Sequence, residues 1–136
     1  MHPNSDEAII ACRPNLLVDD VPASLRFYAD QLGFRIGWRW AVDHFLADEE
    51  PGEPDTALVG RDGAQLILTQ KAGEHTTWLH FDVHTADQVD ALFQEWTDRG
   101  TPIAEPPVLR PWGMYEMRLH DPDGNVLRVS SPPTGR

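Results

Sequence analysis

The sequence predicts an α+β domain of two tandem βαβββ modules that wrap a curved mixed sheet around a cleft. Three observations predict it. The first is a hairpin near the C-terminus, where Tyr115, Met117 and Leu119 alternate with Glu116, Arg118 and His120. That is the two-residue period of a half-buried strand. Asp121-Pro122-Asp123-Gly124-Asn125 then supplies turn chemistry, because Pro fixes φ while Gly and Asn tolerate positive φ. Leu127 and Val129 return to the core side, and Val126 and Arg128 point the other way. The second observation is a pair of amphipathic helical segments, each preceded by a capping residue and followed by strand patterns. The third is internal repetition. Val18-Asp19-Asp20-Val21 answers Val83-His84-Thr85-Ala86, and Arg61-Asp62-Gly63-Ala64-Gln65-Leu66 answers Asp121-Pro122-Asp123-Gly124-Asn125-Val126. The offset of roughly 60 residues is the length of one strand-helix-three-strand unit. The 136 residues therefore read as a single domain, with module one over about 8–71 and module two over about 76–131.

In order, residues from about Ala8 to Val18 form a first strand carrying Ile9, Ile10, Leu16, Leu17 and Val18. Asp19 or Asp20 caps the helix that follows, and Pro22 suits its first turn. Val21, Leu25, Tyr28 and Leu32 make one apolar face before Gly33 stops the helix. Phe34 to about Phe45 is a second strand, with Phe34, Ile36, Trp38, Trp40 and Val42 on one face. The Pro, Gly and charge density of Asp48 to Asp55 makes that stretch a loop, either simply solvated or a lid over a site. Thr56–Gly60 and Ala64–Gln70 form a hairpin about Asp62-Gly63. In the second half, Trp78 to His84 is a strand and Thr85 with Gln88 forms a capping box. Val89, Leu92, Phe93 and Trp96 give the helix an apolar stripe, and Gly100 ends it. Pro102 to Leu109 is a strand made irregular by Pro106-Pro107, the hairpin follows, and Ser131 to Arg136 is a frayed tail.

Lys and Arg number 11 against 22 Asp and Glu, a formal charge of -11 with His neutral. No basic stripe exists to neutralise phosphates, so nucleic acid is not an expected partner. Acidity favours solubility and attracts cationic ligands. Cys12, the single cysteine, can form neither an intrachain disulfide nor a thiolate cluster, and its apolar neighbours predict an inert buried residue. No run approaches the roughly 18 apolar residues of a membrane span. The segment Met1 to Glu7 lacks the pattern of a signal peptide, so the expected compartment is the cytoplasm.

The stretches Leu16-Leu17-Val18-Asp19-Asp20-Val21-Pro22-Ala23-Ser24-Leu25-Arg26-Phe27-Tyr28, Gln31-Leu32-Gly33-Phe34 and Asp121-Pro122-Asp123-Gly124-Asn125 resemble the vicinal-oxygen-chelate superfamily. It includes glyoxalase I, extradiol dioxygenases, fosfomycin-resistance enzymes and bleomycin-resistance proteins. The resemblance runs from about Ile9 to Ser131 and implies the paired-module fold. From the bleomycin-resistance branch it implies an intertwined homodimer, with an exchanged element and two ligand clefts near the subunit interface. Function stays open, because the superfamily mixes metalloenzymes with metal-free binders. Metal-binding members carry His at the start of the first strand, a carboxylate on the fourth, His on the fifth and Glu on the last. The matching positions here are Arg13, a fourth strand Ala64–Gln70 with no His or carboxylate, Trp78 or His80, and Arg128. Two cations and at most one His do not make the three or four donors a divalent ion needs, so no metal or other cofactor is expected.

Pro111-Trp112-Gly113, ahead of an alternating strand and Asp-Pro-x-Gly-Asn, is similar to the second-half signature of the bleomycin-resistance branch. In that branch this Trp and an aromatic after Leu-Gly-Phe stack on a flat heteroaromatic part of the drug. The resemblance assigns these roles to Trp112 and Trp38, with Trp40 on the same strand face. Trp38 and Trp40 equally suit a cleft wall that binds nothing, and Trp96 on the helix stripe is core. Trp78, His80, Glu116, Arg118 and Arg128 would line the site or orient the ligand. The arginines suit a ligand with carboxylate, phenolate or carbonyl groups, or they pair with Glu116 and Asp82. The expected function is metal-free sequestration of a planar aromatic antibiotic or similar natural product, without turnover, since no nucleophile–base pair is discernible. The alternative is a metal-dependent glyoxalase- or dioxygenase-like enzyme with an atypical site around His80, Glu116 and His120.

Overall fold

In the computed structural model, which describes residues 8, 11–71, 73 and 76–132, each half of the chain builds one sheet. Strand β1 (Asn15–Val18) starts after Pro14, whose carbonyl accepts the Ile67 N–H at 2.9 Å. The strand is shorter than the apolar content from Ala8 predicts. Residues 11–14 are exposed and unpaired as strand, and Ile9 and Ile10 lie outside the described residues. Cys12 is consequently exposed rather than buried, because no strand turns its thiol toward a core.

Helix α1 (Val21–Arg26) begins at Asp20, whose carboxylate accepts the Ala23 N–H at 3.2 Å, and continues as a π-helical turn over Phe27–Gln31. Val21, Leu25, Tyr28 and Leu32 are all buried, as their spacing predicts. Gly33 closes the helix at φ 79°, a left-handed conformation that glycine adopts without strain.

Strands β2 (Arg35–Ala41), β3 (His44–Phe45), β4 (Thr56–Arg61) and β5 (Ala64–Gln70) complete the first sheet in the order β1-β5-β4-β2-β3. β1 runs parallel to β5, and every other pair is antiparallel. The expected common face from Phe34 to Val42 is broken by a bulge. Ile36 pairs with Val59 but Trp38 pairs with Leu58, so Gly37 is an extra residue and the alternation reverses there. Phe34 therefore joins the core while Trp38 and Trp40 share the opposite face. Val42 leaves the strand altogether, in a turn at φ 56° and 85% exposed. Residues 46–55 are a loop gathered on Arg39, whose Nη2 donates to the carbonyls of Ala47 at 2.6 Å and Asp48 at 3.1 Å.

The second half follows the same plan: β6 (Trp78–Asp82), helix α2 (Ala86–Asp98), β7 (Glu105–Leu109), β8 (Tyr115–His120) and β9 (Val126–Ser131). Their sheet has the order β6-β9-β8-β7, with β6 parallel to β9. Thr85 and Gln88 close the expected capping box. Pro106 and Pro107 sit where β7 slips register against β8, on an edge strand that tolerates two missing N–H donors. Ser131 is a buried strand residue paired with Tyr115, not the first residue of a tail.

Each helix lies on the sheet of its own unit, and the two halves share one apolar core. Trp96 is its largest member, and burying an indole is worth roughly 4–6 kcal/mol before entropy is counted. Its Nε1 donates to the Leu32 carbonyl at 3.1 Å. Reciprocal clamps add to this. From the β4–β5 turn, Arg61 donates to Glu95 on α2 at 2.6 and 2.8 Å and to the Leu32 carbonyl at 2.7 Å. From the β8–β9 turn, Asp121 accepts the Tyr28 hydroxyl at 2.8 Å and Asp123 accepts the Asp19 N–H at 2.8 Å. Each half thus grips the other's helix region with its final turn.

Candidate functional site

Strand parity assigns every residue of the second sheet to one of two faces. Leu79, Met117, Leu119, Leu127 and Val129 face α2 and the core. The other face is free of helix. It carries a row of His80, Arg128, Arg118 and Glu105, and a neighbouring row of Asp82, Ser130, Glu116 and Val108. Trp78 lies diagonally behind Arg128 in the row it shares with Val126 and His120.

Glu116 is the centre of this face, and it is fully buried although no helix covers it. Its neighbours bury it. Arg118 Nε donates to Oε2 at 2.9 Å, Arg128 Nε to Oε2 at 3.2 Å and Nη2 to Oε1 at 2.9 Å, and the Ser130 hydroxyl to Oε1 at 3.1 Å. Arg110, from the β7–β8 turn, folds back until its Nε is 3.4 Å from Oε2, while its Nη2 donates to Glu105 at 2.7 Å. Burial by itself raises the Glu116 pKa, but the hydrogen bonds from Arg128, Arg118 and Ser130 outweigh it and hold the carboxyl below its ordinary range. The Arg118 and Arg128 guanidinium carbons lie 5.5 and 5.8 Å from the centroid of the Trp78 indole, which is itself 53% exposed.

The helix-free face of the first sheet is different in character. Trp38 and Trp40 stand on it beside Leu58, Thr56, Ile67 and Thr69, and Phe45 of β3 joins them edge-to-face. The centroid distances are 5.7 Å to Trp38 and 4.7 Å to Trp40, and Phe45 is 61% exposed. Trp112 is 56% exposed in the turn closed by the Gly113 N–H on the Arg110 carbonyl at 2.8 Å. Among the described residues no hydrogen bond or ring contact joins the Trp38–Trp40 wall to the arginine face, and Trp112 makes no ring–ring or cation–π pair with either. Within one chain the expected residues thus form an aromatic wall on one sheet, a cationic wall on the other, and an indole at a turn.

A family model described as the glyoxalase/bleomycin resistance protein/dioxygenase superfamily matches residues 10–129. The chain belongs to that superfamily. No curated protein matches the sequence. Among solved structures it is similar to a bleomycin-binding protein complexed with bleomycin, at 21% identity and TM-score 0.70 over 90% of this chain and 98% of that one. It is also similar to the bleomycin-binding protein of bleomycin-producing Streptomyces verticillus complexed with copper(II)-bleomycin, at 24% identity and TM-score 0.65 over 92% and 98%. TioX from Micromonospora sp. ML1 matches at 18% identity and TM-score 0.70 over 88% and 97%. At these identities the likeness is one of fold.

Membership of a superfamily that holds glyoxalases and dioxygenases raises the question of a metal, and the described residues do not fit one. Both Glu116 oxygens already accept from guanidinium groups, so this carboxylate is not free to ligate. His120 pairs with Val126 and is exposed, two strands away from His80 and two rows from Glu116, so His80, Glu116 and His120 do not converge. Among the described residues no three His, Cys, Asp or Glu side chains gather as a cation site requires. The buried side-chain atom left without a hydrogen-bond partner is a donor, Arg110 Nε, where a cation would need an acceptor. Sequence reading missed Arg110, Glu105 and Phe45 as members of these two faces. The signal for the first two was their place at either end of the irregular strand before Pro111, and for Phe45 its position at the end of the Trp38–Trp40 strand pattern.

Proposed function

We propose that this protein binds and sequesters a planar aromatic antibiotic or a similar natural product, without a metal ion and as a homodimer in the cytoplasm. The observation that carries the reading is the helix-free aromatic wall of Trp38, Trp40 and Phe45, left half-open on a fold shared with bleomycin-binding proteins. A flat heteroaromatic ligand would bury area against these rings and gain roughly 0.5–1.5 kcal/mol for each well-placed stack. A second copy would bring the arginine face and Trp112 opposite the aromatic wall, which one chain alone leaves apart. Among the described residues no helix is long and apolar enough to cross a membrane.

Tryptophan-quenching titrations against bithiazole-, quinoxaline- and quinoline-containing compounds test the proposal. Micromolar or tighter binding to some of them is expected, weakened by Trp38→Ala and by Trp112→Ala. Unchanged affinity in both variants would remove the stacking assignment. Stoichiometric Zn, Ni, Mn or Fe retained through dialysis would overturn the metal-free reading.

A further inference from the structure

We propose that Arg110, Arg118 and Arg128 form a handle for a carboxylate, or another oxyanion, attached to the flat ligand. The inference rests on the aromatic-ligand reading above and narrows it to acidic ligands. Three guanidinium groups pair with two carboxylates, Glu105 and Glu116, so the ion-paired cluster itself holds one surplus positive charge in a chain whose formal charge is -11; Asp82, in the row of Glu116, forms no salt bridge with it among the described residues. Acidic residues beyond the roughly 8 Å Debye length of physiological salt are largely screened, so what approaches is governed by this cluster together with the neighbouring Asp82.

Donor capacity is also left over. Arg118 commits Nε to Glu116 and only approaches Glu105, at 3.7 Å. Arg128 commits Nε and Nη2, and Arg110 commits Nη2. Among the described residues the Nη1 groups of Arg110 and Arg128 and both Nη groups of Arg118 donate no hydrogen bond, and Arg110 Nε is buried without one. A network built for stability alone tends toward balanced charge and paired donors. This one has neither. Glu116 acts as the strut that splays the three guanidinium groups, and the half-exposed Trp78 beside them offers a flat surface on which an aromatic acid can lie. Planar forks suit this task, because a guanidinium matches a carboxylate with two parallel N–H donors.

Calorimetric titration with quinoxaline-2-carboxylate and with its neutral carboxamide tests the handle. Alongside it, acetate and acetamide are added while the arginine Nε–H signals are followed by NMR. The carboxylate is expected to bind about 10- to 100-fold tighter than the carboxamide, the range of one or two charge-assisted hydrogen bonds. Arg110→Gln should collapse that preference to within about threefold, through loss of carboxylate affinity. Glu105→Gln, at a half-exposed position, removes the charge opposite Arg110 Nη2 and raises the surplus of the paired groups to two, so it should widen the preference and serves even if Arg110→Gln folds poorly. Equal affinity for acid and amide overturns the handle and leaves the stacking reading standing. Arginine signals that move with acetate but not acetamide, with neither quinoxaline bound, support the handle and remove the aromatic-ligand reading. No response to any of the four compounds removes both.

Discussion

Glu116→Gln deletes one buried charge with almost no change of shape, so its cost measures the cluster directly. The amide nitrogen replaces one of two oxygens that together accept four hydrogen bonds, three of them from guanidinium nitrogens. If the remaining oxygen keeps Arg128 Nη2 and Ser130, the new NH2 group faces Arg118 Nε and Arg128 Nε, donor against donor. Losing two charge-assisted bonds at roughly 1.5–3 kcal/mol each agrees with the roughly 3–5 kcal/mol that breaking a buried ion pair costs. We expect about 3–5 kcal/mol of destabilisation, out of the roughly 5–15 kcal/mol that a domain possesses. Urea unfolding followed by tryptophan fluorescence reads this out, and the melting temperature should fall by roughly 10–15 °C. Proton linkage supplies an internal control. The folded-state pKa of Glu116 lies below its ordinary value, so its stabilisation is complete above the ordinary carboxylate range and disappears as pH falls through the lower folded value. The gap between wild type and variant should therefore stay flat from about pH 8 to 5 and shrink below about pH 4. A penalty under about 1 kcal/mol at neutral pH, or one that persists undiminished at about pH 3, would refute the reasoning.

Three further outcomes are expected. Gly33→Ala should lower the unfolding free energy by about 1–3 kcal/mol, and the urea midpoint with it, because position 33 sits at φ 79° and its new Cβ would stand 2.9 Å from Arg61 Nη1 and 3.1 Å from Glu95 Oε2. An unchanged midpoint would mean the Arg61–Glu95 clamp can move aside freely. The chain's two tyrosines should both be silent in a phenolate titration of the folded protein. Burial and Asp121 push Tyr28 well above its ordinary value, and the hydrogen bond to Asp90 pushes Tyr115 up to about 12. Absorbance at about 295 nm should stay level to about pH 11, whereas the urea-unfolded chain titrates near 10, and an early rise would contradict both contacts. His44, held at 2.9 Å by both Asp43 and Glu50, should keep its proton above the ordinary imidazole range. Glu50→Gln should bring its NMR titration midpoint down, and an unmoved midpoint would count against the Glu50 contact.

What could be read from the chain was what short-range chemistry decides. Periodicity placed α1, α2, β8 and β9, and the Thr85–Gln88 box marked the start of α2 as the structure has it. The bulge at Gly37 could not be read, because it exists only in the register against β4, where the Leu58 side chain would lie 2.9 Å from a Cβ at position 37. The exposure of Cys12 was hidden for a similar reason: apolar neighbours suggested a strand that pairing with β5 supports only from Asn15. At the site, alternation put Glu116, Arg118 and Arg128 on one face with Trp78 and His80. It did not reveal that Glu116 is buried, since the burial comes from arginines that converge from β8, β9 and the β7–β8 turn.

The strands of the second sheet divide two duties between their sides, one packing the core and the other meeting solvent or ligand. Residues on the outer side, such as His80, Asp82 or Trp78, can be exchanged without disturbing Met117, Leu119 or Leu127 beneath them, since a side chain and its sequence neighbour answer to different environments. Such a protein can be retuned toward new molecules while its folding free energy stays in place. Glu116 is where that separation ends. It stands on the outer side yet is as buried as any core residue, so a change of preference that recruits this position would have to be accompanied by restabilising changes elsewhere.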